Sequence, residues 1–271
     1  MDSVFRKHWS GEMQITGLQG KTALVTGSSK GIGRAIAIAL AGVGANVVVN
    51  HRDSEAEALE VKEAVEGLGR RAIVVRADAG VPEQIEGMFE RAVESFGGVD
   101  VAVHNALYTK RLPVVDLPLS EWRRTMAVCL DGGFMTAQLA ARDMIRRGVP
   151  GSIVFISSIM AIRCPPRSAA YNSAKNGLQG LALTLGSELA PHRIRVNVIQ
   201  PGWIDTPGER TFNTEEQILE KGKELPWGRL GEAEEIAKAV VYLASDLGSY
   251  VTGATLRVDG ALSLPSARDL A

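Results

Sequence analysis

The chain has 271 residues, 45% of them apolar and 23% charged, and its 30 Lys and Arg face 31 Asp and Glu for a net charge of −1. That length can bury a core without a metal or disulfide staple, and two cysteines, Cys129 and Cys164, cannot build a disulfide framework. The balanced charge offers no basic face to nucleic-acid phosphates, and no apolar run approaches the roughly 18 residues that span a bilayer.

The stretch 1–17 mixes Arg6, Lys7, His8 and Glu12 with no apolar centre, unlike a signal peptide. A cytoplasmic protein with reduced thiols, and with neither nucleic-acid nor membrane partner, is therefore expected. Thr22–Thr26 reads as a buried strand, Arg34–Val43 as a helix and Asn46–Asn50 as a second strand. A charged helix over Glu55–Leu68, a strand over Ala72–Arg76 and a helix over Pro82–Phe96 follow. Val99–Val103 reads as a strand, and Ser120–Arg147 as one long helix capped by Ser120. The rest reads as strand Ser152–Ile156, helix Tyr171–Leu189, strand Ile194–Ile199, helix Glu232–Ala244 and strand Thr255–Val258.

Strands alternating with helices imply βαβ units, and the continuous Val/Ile/Leu character of the strands suits a parallel sheet covered on both faces. The expected fold class is thus α/β. No linker or repeat divides the chain, so one domain is expected over 18–262, with tails at 1–17 and 263–271. Trp203–Trp227 is the longest insertion after a strand, as expected of a lid or binding loop.

The first strand runs into Thr26-Gly27-Ser28-Ser29-Lys30-Gly31-Ile32-Gly33 and then directly into a helix. Glycines here allow a tight turn and a close backbone approach to a diphosphate, with the helix N-terminus aimed at the anion. A carboxylate at the end of the second strand would accept from a ribose 2′-hydroxyl. The chain instead reads Asn50-His51-Arg52, with no carboxylate before Asp53. Arg52 can stack on adenine and pair with a 2′-phosphate, Lys30 can add a second cation, and NADP(H) is expected over NAD(H).

Tyr171 and Lys175 lie at i and i+4 on one helix face. A nearby ammonium favours the phenolate, so Lys175 is expected to lower the Tyr171 pKa and suit it to proton transfer with a carbonyl oxygen. Ser158, at the end of the fifth strand and 13 residues before Tyr171, would meet the same substrate oxygen.

Thr26-Gly-Ser-Ser-Lys-Gly-Ile-Gly33, Asp78, Asn105-Ala106, Ser158, Tyr171-x-x-x-Lys175, Pro201-Gly202 and Val251-Thr-Gly253 occur in that order. On these motifs the sequence resembles the short-chain dehydrogenase/reductase family from about Leu18 to Leu262, and within it bacterial glucose 1-dehydrogenases and 3-oxoacyl-carrier-protein reductases. The resemblance implies a single doubly wound Rossmann-type domain with helices on both faces of a seven-stranded parallel sheet, order 3-2-1-4-5-6-7, and a homotetramer. It implies Ser158, Tyr171 and Lys175 as the catalytic residues, with Lys175 also on the nicotinamide ribose. It places the cofactor on Gly27, Ser29, Lys30, Gly31, Ile32, Gly33, His51, Arg52, Asp78, Ala79, Asn105 and Ala106, with Asp78 at the adenine. Pro201, Gly202, Ile204 and Thr206 would line the nicotinamide. No metal is expected. Substrate contacts are expected from Leu107-Tyr108, Ile159-Met160, Arg163–Pro166 and the Trp203–Trp227 insertion. A 3-oxoacyl reductase is the alternative within enzymes, and a catalytically silent NADP-binding scaffold the alternative outside them.

Two positions depart from the family pattern. His104-Asn105-Ala106-Leu107 stands where Asn-Asn-Ala-Gly is usual, so Leu107 replaces a glycine that lets the chain bend past the cofactor, and His104 is expected to be an interior, satisfied histidine. Cys129 stands where the family has an Asn whose main chain holds a water linked to the active-site Lys. An altered proton relay is expected, with Cys129→Asn leaving activity equal or higher.

Overall fold

All four residues of β1 (Thr22–Val25) are buried, as a strand enclosed between two helical layers must be. The computed structural model describes residues 15–265. Six further strands join β1 in one parallel sheet: β2 (Asn46–His51), β3 (Ala72–Arg76), β4 (Val101–His104), β5 (Gly151–Ile156), β6 (Ile194–Pro201) and β9 (Thr255–Val258). Their order is β3-β2-β1-β4-β5-β6-β9, the expected 3-2-1-4-5-6-7. The seventh place falls to β9 because two short strands, β7 (Ile204–Asp205) and β8 (Gly231–Glu232), pair only with each other.

The helices are α1 (Gly31–Gly42), α2 (Glu55–Gly67), α3 (Pro82–Phe96), α4 (Leu119–Met126), α5 (Gly132–Arg147), α6 (Met160–Arg163), α7 (Ala169–Glu188), α8 (Glu215–Glu224) and α9 (Ala233–Ala244). Side chains alternate along each strand, so neighbouring residues serve opposite cores. Ala23 and Val25 face α1 and α9 through Ile36, Leu40, Ile236 and Val240. Leu24 faces the other layer, where Met88 and Phe89 of α3, Ala140 and Met144 of α5, and Leu178 of α7 pack together. Val47 and Val49 meet Val61 and Val65 of α2.

From β1 the chain winds outward to β3, then returns to β4 on the other side of β1. Beyond the carboxyl ends of β1 and β4 lies the crevice where doubly wound sheets take ligands. Among the described residues no helix is long and apolar enough to cross a membrane.

Two readings change. The long helix expected from Ser120 begins instead at Leu119, with Pro118 as N-cap and no side-chain cap bond. Ser120 falls inside the first turn, two residues past the N-cap. That helix is also divided: a π-helical turn, Ala127–Asp131, separates α4 from α5. At its end Gly132 passes so close to the segment after β3 that a Cβ there would lie 2.1 Å from the Ala79 carbonyl oxygen. The Trp203–Trp227 insertion, expected as a lid or binding loop, has regular structure of its own. It carries a 3-10 turn, Pro207–Thr211, and α8, which opens on a capping box between Thr214 and Gln217. The expected tails lie almost wholly outside the described residues; within them, the Thr16 hydroxyl donates to Asp246 at 2.8 Å and Leu18 is already buried.

Candidate active site

Thr26 fixes the start of the glycine turn. Its hydroxyl oxygen accepts from the backbone N–H groups of Asn105 and Ala106, at 2.9 and 3.0 Å, tying the ends of β1 and β4 together. The Asn105 amide donates to the carbonyls of Thr26 and Gly27, both at 3.0 Å. Asn50 holds the other side, accepting from Gly27 N–H at 2.9 Å and donating to the Ala77 carbonyl at 3.0 Å. Gly31 takes a left-handed φ of 53°, and α1 starts behind it with no side chain capping its free N–H groups, an arrangement that favours an anion. At Gly33 a Cβ would sit 2.3 Å from the Gly27 carbonyl oxygen, so the absence of a side chain lets the turn pack on the helix start.

A cavity of about 640 Å³ opens over this cradle. Gly27, Ser29, Lys30, Gly31, Ile32, His51, Arg52, Asp78, Ala79, Asn105 and Ala106 all line it, as expected. The two cations expected at a 2′-phosphate are already paired, Lys30 with Glu57 at 2.5 Å and Arg52 with Asp53. Asp78 is engaged as well: it accepts from Arg124 at 2.6 Å and from Gly80 N–H at 2.8 Å. Burial works to raise its pKa, but these partners outweigh it and hold the carboxyl below its ordinary value. His51 Nδ1 is buried with no protein partner.

A second cavity, about 520 Å³, adjoins the first and is lined by Ser158, Tyr171 and Lys175 together with Pro201, Gly202, Ile204 and Thr206. Helix α7 carries Tyr171 and Lys175; the Ser157 hydroxyl donates to the Lys175 carbonyl at 2.7 Å and docks α7 against the end of β5. Lys175 is buried, donates from Nζ to the Ile156 carbonyl at 2.7 Å, and stands 5.6 Å from the centre of the Tyr171 ring. Burial works against the expected effect of Lys175 on the phenol. Burial pushes the Tyr171 pKa well above its ordinary value and the Glu209 charge pushes the same way, against a hydrogen bond from Ser158 and the charge of Arg111. Burial likewise lowers the Lys175 pKa. Tyr171 is thus a firmly protonated phenol, a proton donor rather than a resting phenolate.

Both departures from the family pattern sit beside this cavity. Leu107 adopts no left-handed backbone, so replacing the usual glycine costs no strain. Its side chain, 56% exposed, borders both cavities. Cys129 lies fully buried in the π turn. Its Sγ accepts from Tyr108 N–H and donates to the Tyr108 carbonyl, each at 3.4 Å. His104 is also fully buried, with Nδ1 3.3 Å from the Thr26 hydroxyl. Because that hydroxyl oxygen already accepts two N–H bonds, its proton goes to Nδ1, leaving the ring proton on Nε2. Nε2 has no partner by geometry, so His104 is interior but only half satisfied. Burial, then the nearby Lys175 charge, lower its pKa to about 3.

Of the expected substrate contacts, Leu107, Ile159, Met160 and Arg163 reach the second cavity, while Cys164, Pro165 and Pro166 do not. Tyr108 borders only the first cavity, its phenol donating to Glu121 at 2.7 Å. Thr109, Arg111 and Leu262 line the second cavity and Arg124 and Val128 the first, all unread from sequence. Leu262 arrives from the far end of the chain, where its carbonyl accepts from Arg163 at 2.9 Å; no local pattern marks it. Among the described residues no cluster of His, Cys, Asp or Glu forms a metal centre.

Residues 27–263 match the family model described as enoyl-(acyl carrier protein) reductase. The chain is 40% identical over 246 residues to an L-rhamnose 1-dehydrogenase (NAD(P)(+)) of Sphingomonas sp. (strain SKA58), covering 90% of this chain and 97% of that protein. It is 37% identical over 249 residues to glucose 1-dehydrogenase 2 of Bacillus subtilis (strain 168), covering 91% and 96%. The crystal structure of a short chain dehydrogenase from Burkholderia cenocepacia J2315 in complex with NADP superimposes with a TM-score of 0.83 at 33% identity, covering 90% of this chain and 98% of that one.

Proposed function

The chain belongs to the short-chain dehydrogenase/reductase family, an oxidoreductase of alcohol and carbonyl groups, and from that premise we propose that it moves hydride between NADP(H) and a carbonyl or secondary alcohol, with Tyr171 as proton donor and acceptor. The observation that carries this reading is the convergence of Ser158, Tyr171 and Lys175 on one cavity that opens beside the glycine cradle.

A dinucleotide suits the cradle on physical grounds: uncapped N–H groups open α1, and a left-handed Gly31 lies beneath Thr206, whose side chain a Cβ on Gly31 would approach to 3.3 Å. When bound, a nicotinamide supplies or accepts the hydride. The residues of the chain do the rest. Gly27 to Ile32 would hold the diphosphate, Arg52 and Lys30 the 2′-phosphate, and Pro201, Gly202, Ile204 and Thr206 the nicotinamide end. Preference for NADP(H) rests on Arg52 and Lys30, each of which would exchange its present carboxylate partner for phosphate.

In reduction, Ser158 donates a hydrogen bond to the substrate oxygen and holds the carbonyl against Tyr171. As the C–H bond forms and the C=O π bond breaks, the Tyr171 O–H bond breaks and its proton passes to the oxygen, giving the carbinol. A neutral, half-buried phenol is set for that direction. Lys175, one turn away with Nζ 5.6 Å from the centre of the Tyr171 ring, would favour the phenolate left behind. Oxidation runs the same steps in reverse. The curated relatives support a sugar carbinol or similar secondary alcohol as substrate, and a homotetramer is proposed on family grounds.

A panel of sugars, secondary alcohols and ketones, each tried with NADP(H) and NAD(H) and followed by absorbance of the reduced nicotinamide, tests the proposal. Turnover with a higher kcat/KM for NADP(H) is expected. Tight cofactor binding without turnover of any substrate would instead favour a silent binding protein.

A further inference from the structure

The two cavities differ in how their charges are met. On the cofactor side the cations are paired: Lys30 with Glu57, Arg52 with Asp53, Arg124 with Asp78. On the substrate side they are not. Arg111, Arg163 and Lys221 all border the second cavity, and among the described residues none of the three forms an ion pair. Arg163 spends one nitrogen on the Leu262 carbonyl, and Lys221 meets only the Asn213 side-chain oxygen at 3.0 Å. Glu209 is the one carboxylate in the described lining, and it is occupied by the Trp203 indole N–H at 2.8 Å.

Arg111 is also held in place. Its guanidinium stacks 4.5 Å from the centre of the Phe212 ring, which fixes the planar fork while leaving its N–H donors without protein acceptors. Its charge reaches the Tyr171 phenol, so it stands within electrostatic range of the reacting oxygen. A guanidinium stacked on Phe212 and without an ion-pair partner, lining the same cavity as Tyr171 with a second arginine and a lysine, has the chemistry to receive a carboxylate.

We propose that the substrate carries a carboxylate, received by Arg111 with Arg163 and Lys221 in support, while its carbonyl or carbinol lies against Ser158 and Tyr171. A sugar acid or an oxo acid has this form. The inference rests on the hydride-transfer reading above and deepens it: the relatives named for neutral sugars would share the chemistry but not this end of the site.

The test compares substrates that differ only at the charged end, using the enzyme loaded with NADP(H). Glucuronate is set against glucose in oxidation, and levulinate against methyl levulinate in reduction. The wild type is expected to prefer the acid of a pair. Arg111→Gln should lower kcat/KM for the acid by about tenfold more than for its neutral partner, Arg111→Lys should restore part of that selective loss, and added KCl should erode the preference. Equal or better use of the neutral partner, with a ratio insensitive to Arg111→Gln, would overturn the carboxylate proposal while leaving the oxidoreductase reading intact. Should neither pair react, calorimetric titration of the loaded enzyme with glucuronate and levulinate decides. Binding lost in Arg111→Gln supports the anion site although the reaction reading fails, and absence of binding overturns the site. Arg111 is an exposed side chain, and its replacement leaves the core untouched.

Discussion

Cys129 and Tyr108 are joined through two hydrogen bonds, the Tyr108 N–H donating to Sγ and the Sγ–H donating to the Tyr108 carbonyl, each 3.4 Å long. A thiol thereby makes a paired donor and acceptor contact of the kind a side-chain amide can make, and it fastens the segment after β4 to the π turn. Tyr108 borders the cofactor cavity and its neighbours Leu107 and Thr109 border both, so this contact shapes both cavities at their junction.

Cys129→Ala leaves the part-buried Tyr108 N–H without its acceptor, which costs about 1 kcal/mol. Urea unfolding should show that loss, with KM rising for cofactor and substrate alike. Cys129→Asn supplies donor and acceptor again and is expected to leave activity equal or higher. A large fall in activity with that substitution would give the thiol a role of its own.

The cradle tolerates no side chain at Gly33, where a Cβ would lie 2.3 Å from the Gly27 carbonyl. Gly33→Ala must push α1 away from β1, and overpacking of this kind costs about 1–3 kcal/mol. Dinucleotide affinity should fall by about tenfold or more, read by quenching of tryptophan fluorescence, because the turn and the helix N-terminus no longer meet the same diphosphate.

At the 2′-phosphate site proposed above, Arg52 is held by its neighbour Asp53. Removing the carboxylate in Asp53→Asn frees the guanidinium and should raise the ratio of kcat/KM for NADP(H) over NAD(H). Arg52→Gln should lower that ratio by about tenfold. Opposite movements of the two variants in steady-state assays are the signature expected.

Acid stability tests the buried histidine. In the folded protein His104 titrates at about 3, against 6.5 for an unperturbed histidine. Between those values the unfolded chain carries the extra proton, so stability present at neutral pH is lost as pH falls below 6.5. The loss reaches about 2 kcal/mol by about pH 5. His104→Asn removes the titrating group, and its urea midpoint should change less than that of the wild type between about pH 7 and about pH 5.

Much of this was legible in the sequence because it is local. Strands β1, β2 and β3 and helix α3 follow from apolar runs and from Pro82 at a helix start, and the glycine turn and the Tyr171–Lys175 spacing mark two walls of the site. What was not legible depends on tertiary approach. Apolar periodicity runs on through Ala127–Asp131, so nothing local separates α4 from α5; the close passage of Gly132 by Ala79 does. Arg111, Phe212 and Leu262 meet at one cavity from three distant segments. The i and i+4 spacing showed that Lys175 lies near Tyr171, but the degree of burial, which outweighs the ammonium, is set by the whole fold.

The most direct test of the account is Tyr171→Phe, which keeps the ring and removes only the hydroxyl. Turnover of the best substrate from the panel should fall by about a thousandfold, within the range lost when a general acid is removed, while cofactor binding read by fluorescence stays at the wild-type value. Near-normal turnover in that variant would contradict the assignment of the proton to Tyr171, and with it the mechanism proposed for this chain.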